Sequence, residues 1–102
     1  MTSSALALDA LGDGTRREIF EQVAARPRAV GELARDLPVS RPAVSQHLRI
    51  LKQAGLLTDR PAGNRRIYEL DLNGLAGLRA YFEGFWNVAL DSLKNQTDDG
   101  AV

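Results

Sequence analysis

A mostly helical α+β fold is predicted by three features of the sequence. Val30, Leu33, Ala34 and Leu37 recur at helical spacing, and Pro38-Val39 breaks the run. A second helix starts at Ser40 and stops at Gly55, with one apolar stripe and one polar face free of carboxylates. Behind it, Pro61-Ala62-Gly63-Asn64 supplies turn residues ahead of the extended run Arg65-Arg66-Ile67-Tyr68-Glu69-Leu70. A short helix, a tight break and a polar-faced second helix make a helix-turn-helix, and the hairpin that follows adds the wing. The fold class is thus a winged helix-turn-helix with N- and C-terminal dimerisation helices. Its 102 residues leave room for one domain, 1–102, with the helix-turn-helix at about 30–55, the wing at about 57–70 and the outer helices at about 5–11 and 73–95.

The first of these helices carries Leu6, Leu8 and Leu11 and ends at Gly12. Asp13 or Thr15 can cap the next, 16–25, whose Ile19, Phe20, Val23 and Ala24 face a core; Pro27 ends it. Asp9, Asp13, Glu18 and Glu21 are scattered here and read as solvated surface, because acid–base catalysis would need a cleft and shifted pKa values.

Ser40 can cap the central helix with its hydroxyl, and Pro42 sits in the first turn, where a missing N–H costs nothing. Gly55 can take the left-handed conformation that closes a helix. At about 100° per residue, Val44, Leu48 and Leu51 share one stripe, flanked by Ala43, Ile50 and Ala54. The opposite side carries Pro42, Ser45, Gln46, Arg49, Lys52 and Gln53. Hydroxyls and amides hydrogen-bond base edges, and arginine grips guanine or phosphate. The plainer alternative is the solvated face of an ordinary amphipathic helix, although such faces usually mix both charge signs. Arg60, Arg65 and Arg66 surround the hairpin tip, where they would reach phosphates or a minor groove; a solvated hairpin end is the alternative. The lone histidine, His47, lies near the core stripe and reads as a half-buried packing residue with a backbone or phosphate hydrogen bond.

From 73 to 95 the sequence reads as one long helix. Leu75, Leu78, Phe82, Phe85, Trp86, Ala89, Leu90 and Leu93 form a broad apolar side, and Gly77, Tyr81, Gly84, Val88 and Ser92 form a second, mostly small one. Such a helix expects cover on two sides, one from its own domain and one from a second subunit. Leu6, Leu11, Gly77, Tyr81, Gly84, Phe85 and Val88 are the expected dimer contacts. A competing assignment makes Tyr81, Phe82, Phe85 and Trp86, with Leu6 and Leu11, the lining of an apolar effector pocket, but aromatic stripes at helical spacing are usually core. Residues 96–102 read as a frayed polar tail.

Net charge is zero, but the charge is polarised. Residues 41–66 hold Arg41, Arg49, Lys52, Arg60, Arg65 and Arg66 against the single anion Asp59, whereas 67–102 hold two cations against six anions. A local basic patch is the footprint of phosphate binding whatever the total, while zero net charge keeps non-specific binding weak. With no cysteine, disulfides and thiolate metal sites are excluded, and one histidine makes no zinc site. No apolar run is long enough to cross a membrane, and the start Met-Thr-Ser-Ser-Ala-Leu lacks a basic n-region, so a cytoplasmic protein is expected. No nucleophile–base pair, metal cluster or phosphate loop suggests an enzyme, and no cofactor is expected. The rival from another class is a winged helix used as a protein-interaction module, which would need no cationic surplus around the wing.

The run Ser40-Arg-Pro-Ala-Val-Ser-Gln-His-Leu-Arg-Ile-Leu-Lys-Gln-Ala-Gly-Leu resembles the recognition-helix signature of ArsR-type (ArsR/SmtB family) winged-helix repressors. Gly14-Thr-Arg-Arg-Glu-Ile, Val30-Gly-Glu-Leu-Ala-Arg-Asp-Leu and Gly63-Asn-Arg-Arg-Ile-Tyr-Glu-Leu fit the same family in the same order. The resemblance covers roughly residues 5 to 95. It implies a homodimeric bacterial transcriptional repressor of a palindromic operator, often its own. The implied contacts to double-stranded DNA are Ser45, Gln46 and Arg49 on the reading helix, with Arg41, Arg65 and Arg66, to which Ser40, Pro42, Lys52 and Arg60 are added as neighbours on the same surface. Many members of that family sense metals. One of their sites needs cysteines near the helix that here reads Glu32-Leu33-Ala34-Arg35-Asp36-Leu37; another needs histidine near Asp91-Ser92-Leu93-Lys94. Neither is present, so the chain resembles a non-metal member.

Overall fold

The computed structural model describes residues 3–100. The chain runs α1 (Ser3–Ala10), α2 (Gly14–Ala25), β1 (Arg28–Ala29), α3 (Val30–Asp36), α4 (Arg41–Gln53), β2 (Leu57–Ala62), β3 (Arg65–Leu70) and α5 (Leu72–Gly100). The termini of α4 follow from its end residues. The Ser40 hydroxyl oxygen accepts from the Ala43 N–H at 3.2 Å, and Pro42 occupies the first turn. At the other end Gly55 adopts φ +80°, which lets Gly55 N–H donate to the Lys52 carbonyl and Leu56 N–H to the Leu51 carbonyl, both at 3.0 Å. This double closure caps carbonyls that would otherwise be orphaned, and it turns the chain toward the hairpin. Of the two caps open for α2, Asp13 is the one used: its carboxylate accepts from Arg16 N–H at 2.8 Å.

Three helices and the base of the hairpin share one core. Ile19 and Val23 of α2, Leu33 of α3, Val44, Leu48 and Leu51 of α4, and Leu56 and Leu57 behind it are fully buried. Each contributes about 1.5–3 kcal/mol by leaving water, an upper estimate since unfolded chains already bury some surface. Phe20 packs against this core half-buried, whereas Ala24, expected to face it, is exposed.

Strand order is β1-β3-β2, antiparallel throughout. Leu57 pairs with Leu70 and Asp59 with Tyr68, so Leu57, Tyr68 and Leu70 share the face of the hairpin that meets the core. Gly63, at φ +64°, makes the tip. Strand β1 was not foreseeable: two residues show no alternation. By pairing Arg28 with Tyr68 and Ala29 with Ile67 it covers the otherwise open side of β3 and ties the wing to the start of α3.

The last helix departs from expectation in two ways. It continues through Gly100, because nothing between Asn95 and Gly100 breaks a helix; of the expected frayed tail, residues 101–102 lie outside the described residues. Its own domain also covers little of it. Leu78 is buried and Leu75 half-buried, but Tyr81, Phe82, Phe85, Trp86, Val88, Leu90 and Leu93 are 37–66% exposed. The helix projects beyond the body, giving a molecule 68 × 25 × 25 Å.

The root of α5 is held by close approach. A Cβ on Gly74 would collide with the Gly55 carbonyl oxygen, so this position tolerates only glycine. Gly74→Ala should therefore destabilise the fold by about 1–3 kcal/mol despite alanine's better helix propensity. Urea unfolding of the two proteins measures the difference, and an unchanged or stabilised variant would contradict the packing described.

Candidate nucleic-acid interface

The outer face of α4 is aimed by its inner face. With Val44, Leu48 and Leu51 locked in the core, Ser40, Arg41, Pro42, Ser45, Gln46, Arg49, Lys52 and Gln53 are all exposed. Arg49 Nη2 donates to Gln46 Oε1 at 2.8 Å, one helical turn back. That contact orders two long side chains side by side and leaves the Gln46 NH₂ and the rest of the guanidinium as outward donors. Arg41 lies beside Gly31 at the start of α3, in a cleft of about 490 Å³ that also holds Arg35, Arg65, Arg66, Tyr68 and Glu32. Arg35 was not among the residues expected here. Its place in the sequence, on a short helix before the basic segment, gave no hint that the wing would fold back toward it.

The wing corrects the picture of free cations. The sequence leads one to expect Lys52, Arg60, Arg65 and Arg66 to be open to phosphates, yet each has a carboxylate partner. Arg66 Nε and Lys52 Nζ sit 2.7 Å from Oδ2 and Oδ1 of Asp59, Arg60 Nε is 3.5 Å from Glu69, and Arg65 Nη1 is 3.9 Å from Glu32. Hairpin register explains two of these. Asp59 opposes Tyr68, which puts Arg66 on the diagonal; Arg60 opposes Ile67, which puts Glu69 on the diagonal. Sequence distance hides these pairs, because a local count sets the six cations of residues 41–66 against one anion. Among the described residues, Arg35, Arg41 and Arg49 are the cations of this surface without a carboxylate partner.

Hydrogen bonds from Lys52 and then Arg66 hold the Asp59 carboxyl below its ordinary value of 3.8, more than its burial raises it. Glu32 is lowered chiefly by the Ala29 N–H, then by Arg26. His47 is half-buried as expected, but its neighbour is Arg16, whose Nη1 lies 3.5 Å from His47 Nδ1 while its Nε donates to the Ala10 carbonyl at 2.6 Å.

The expected dimer residues divide. Gly77, Tyr81, Gly84, Phe85 and Val88 are exposed along α5, and Gly77 and Gly84 face open space. Leu6 is 41% exposed, whereas Leu11 packs on the core. Phe82, Phe85 and Trp86 line an open depression with Arg79, Glu83 and Ala89, which Leu6 and Leu11 do not reach; a separate cleft between the first and last helices is lined by Leu6, Gly77 and Leu78 and by none of these aromatics. Among the described residues no three His, Cys, Asp or Glu side chains come together to hold a metal, and no helix is long and apolar enough to cross a membrane.

A reading helix with an ordered Gln–Arg pair, seated on a trihelical core and flanked by an arginine-bearing wing, defines a winged helix-turn-helix DNA-binding regulator. Residues 13–59 match the family described as bacterial regulatory protein, arsR family. The chain is 66% identical over 84 residues to the HTH-type transcriptional regulator Rv2034 of Mycobacterium tuberculosis, covering 82% of this chain and 78% of that one. It is 36% identical over 62 residues to the transcriptional repressor SdpR of Bacillus subtilis, covering 61% of this chain and 69% of the relative. The homodimeric winged helix-turn-helix DNA-binding domain of Mb0332 from Mycobacterium bovis superposes with a TM-score of 0.68 and 28% identity, over 83% of this chain and 79% of that one. The chain belongs to the arsR family of bacterial transcriptional regulators.

The depressed Asp59 carboxyl has a sign in pH. Its charged form contributes stability in full above 3.8, the ordinary value, and that contribution is lost as pH falls through the lower folded value. Asp59→Asn should therefore be less stable than the native chain at neutral pH and the gap should close on acidification. Thermal unfolding followed from about pH 6 to pH 2 tests this; a gap that widens in acid would refute the pairing.

Proposed function

We propose that the whole chain acts as one winged helix-turn-helix domain of a homodimeric, cytoplasmic repressor that binds a palindromic operator, its own promoter included. The observation that carries this reading is the pairing of an anchored, carboxylate-free α4 face with an α5 whose apolar sides its own domain leaves bare. Ser45, Gln46 and Arg49 read base edges in the major groove. Arg41, supported by the backbone of Ser40 and Pro42, holds a phosphate; Arg60 and Arg65 reach phosphates by exchanging their carboxylates, and Lys52 and Arg66 reach them with the N–H donors that Asp59 leaves unused. Two-fold symmetry would set the two reading helices about 34 Å apart, one turn of DNA, which is why a palindrome is expected. The names of the relatives support repression and homodimerisation. Seven exposed large apolar side chains from Tyr81 to Leu93 support the second subunit as their cover. The depression at Phe82, Phe85 and Trp86 is assigned to that interface and not to an apolar effector, because its open form suits a helix better than a small molecule.

The function is tested on DNA taken from immediately upstream of the gene. Gln46→Ala should cost about 1–3 kcal/mol there and relax preference at one position per half-site, since it removes an amide and frees Arg49. Arg41→Ala should weaken random and upstream DNA alike and lower the salt slope by about 0.9. Identical behaviour of the two variants on both DNAs would refute this division of roles.

Dimerisation has its own measurement. The native chain should sediment as a dimer at micromolar concentration. Gly84→Leu should weaken that dimer by about 1–3 kcal/mol, through overpacking of a close helix crossing. A native monomer would remove the α5 argument altogether.

A further inference from the structure

We infer that Asp59 is a positioning residue for sequence-specific DNA binding: one carboxylate, shared by Lys52 of the reading helix and Arg66 of the wing, fixes the wing at a set tilt to α4. The inference rests on the operator-binding reading above.

Asp59 is the one anion between residues 41 and 66, and its side chain is only 6% exposed. Each oxygen takes a different cation, Oδ1 the ammonium of Lys52 and Oδ2 the Nε of Arg66, both at 2.7 Å. The two cations belong to different elements, so the carboxylate spans the gap between them. The hairpin itself does not need this bridge. It has six paired positions, a buried Leu57 at its base and a third strand along β3. Strand β1 and the Arg65–Glu32 pair tie the wing to α3; among the described residues, the Asp59 bridge is the ion pair that ties it to the outer face of α4.

Charge alone argues against placing an anion here. A carboxylate on a phosphate-facing surface repels the backbone and occupies two cations that could otherwise release counterions. If Asp59 only masked charge, removing it would tighten all DNA equally. If it positions the wing, removing it frees two cations for any phosphate while losing the geometry that aligns wing and reading helix on one site. Random DNA then gains and the specific site loses, and the opposite signs separate the two roles.

The test compares the native chain with Asp59→Asn on a duplex from immediately upstream of the gene and on a random duplex of equal length. The ratio of the two affinities should fall by about tenfold or more, and the salt slope on random DNA should steepen by about 0.9 to 1.8, one to two phosphates. In the free protein, amide hydrogen exchange should quicken across residues 57–70 while Leu48 and Leu51 stay protected. Asp59→Glu, which keeps the charge, should recover most of the ratio. Lys52→Gln breaks the bridge without touching the carboxylate, and should lower the ratio even if Asp59→Asn fails to fold. Equal tightening on both duplexes with unchanged wing exchange would overturn the inference and leave Asp59 a charge mask. If the native chain does not prefer the upstream duplex, the operator reading fails; the exchange comparison still decides whether Asp59 holds the wing.

Discussion

Everything on the proposed DNA-facing side depends on the burial of Val44, Leu48 and Leu51. A helix of 13 residues is marginal in water by itself. Here it is held because three aliphatic side chains on one stripe are completely enclosed by α2, α3 and the base of the hairpin. The same fixation turns the remaining positions outward without asking anything of them. Ser45, Gln46 and Arg49 contribute nothing to the core, so their identities are free to be set by what they meet. A division of labour around one helix axis therefore supplies both the stability of the domain and its chemical surface.

The wing obeys a different logic. Its cations are not displayed but held, each against a carboxylate brought near by strand register or by α3. Exposed ion pairs of this kind contribute little to stability, commonly below about 1 kcal/mol, and salt screens them further. Their effect lies in the cost of exchange: a phosphate must displace a carboxylate before it gains an arginine. Only Asp59 stands apart, because its side chain is nearly enclosed and its partners come from two elements.

Much of this architecture could be read from the residues. Both ends of α4 were legible because Ser40, Pro42 and Gly55 act locally, within one turn of the helix. The hairpin was legible from Gly63-Asn64 between extended runs. What escaped was non-local. Strand β1 exists only because Arg28 and Ala29 meet β3 across forty residues of chain. The pairing of Arg65 with Glu32 joins residues that no spacing rule connects. Local charge counting saw Asp59 as a minority anion in a basic stretch, when the fold makes it the shared partner of two of those cations. The length of α5 is underestimated for a simpler reason: the polar residues after Asn95 do not break a helix.

Neutrality overall and pairing locally then have a common consequence for recognition. Attraction to phosphate is blind to sequence and, in a strongly basic protein, would favour the vast excess of random DNA. In this chain the unpaired cations of the surface are few, Arg35, Arg41 and Arg49, and two of them belong to or adjoin the reading helix. The sequence-blind attraction is therefore small unless the wing is docked. On the proposed function, docking in turn requires Glu32 and Glu69 to yield their arginines together, which is favourable only where the contacts of α4 are already made. Specificity on this view arises less from the strength of any base contact than from how little the rest of the surface offers without one.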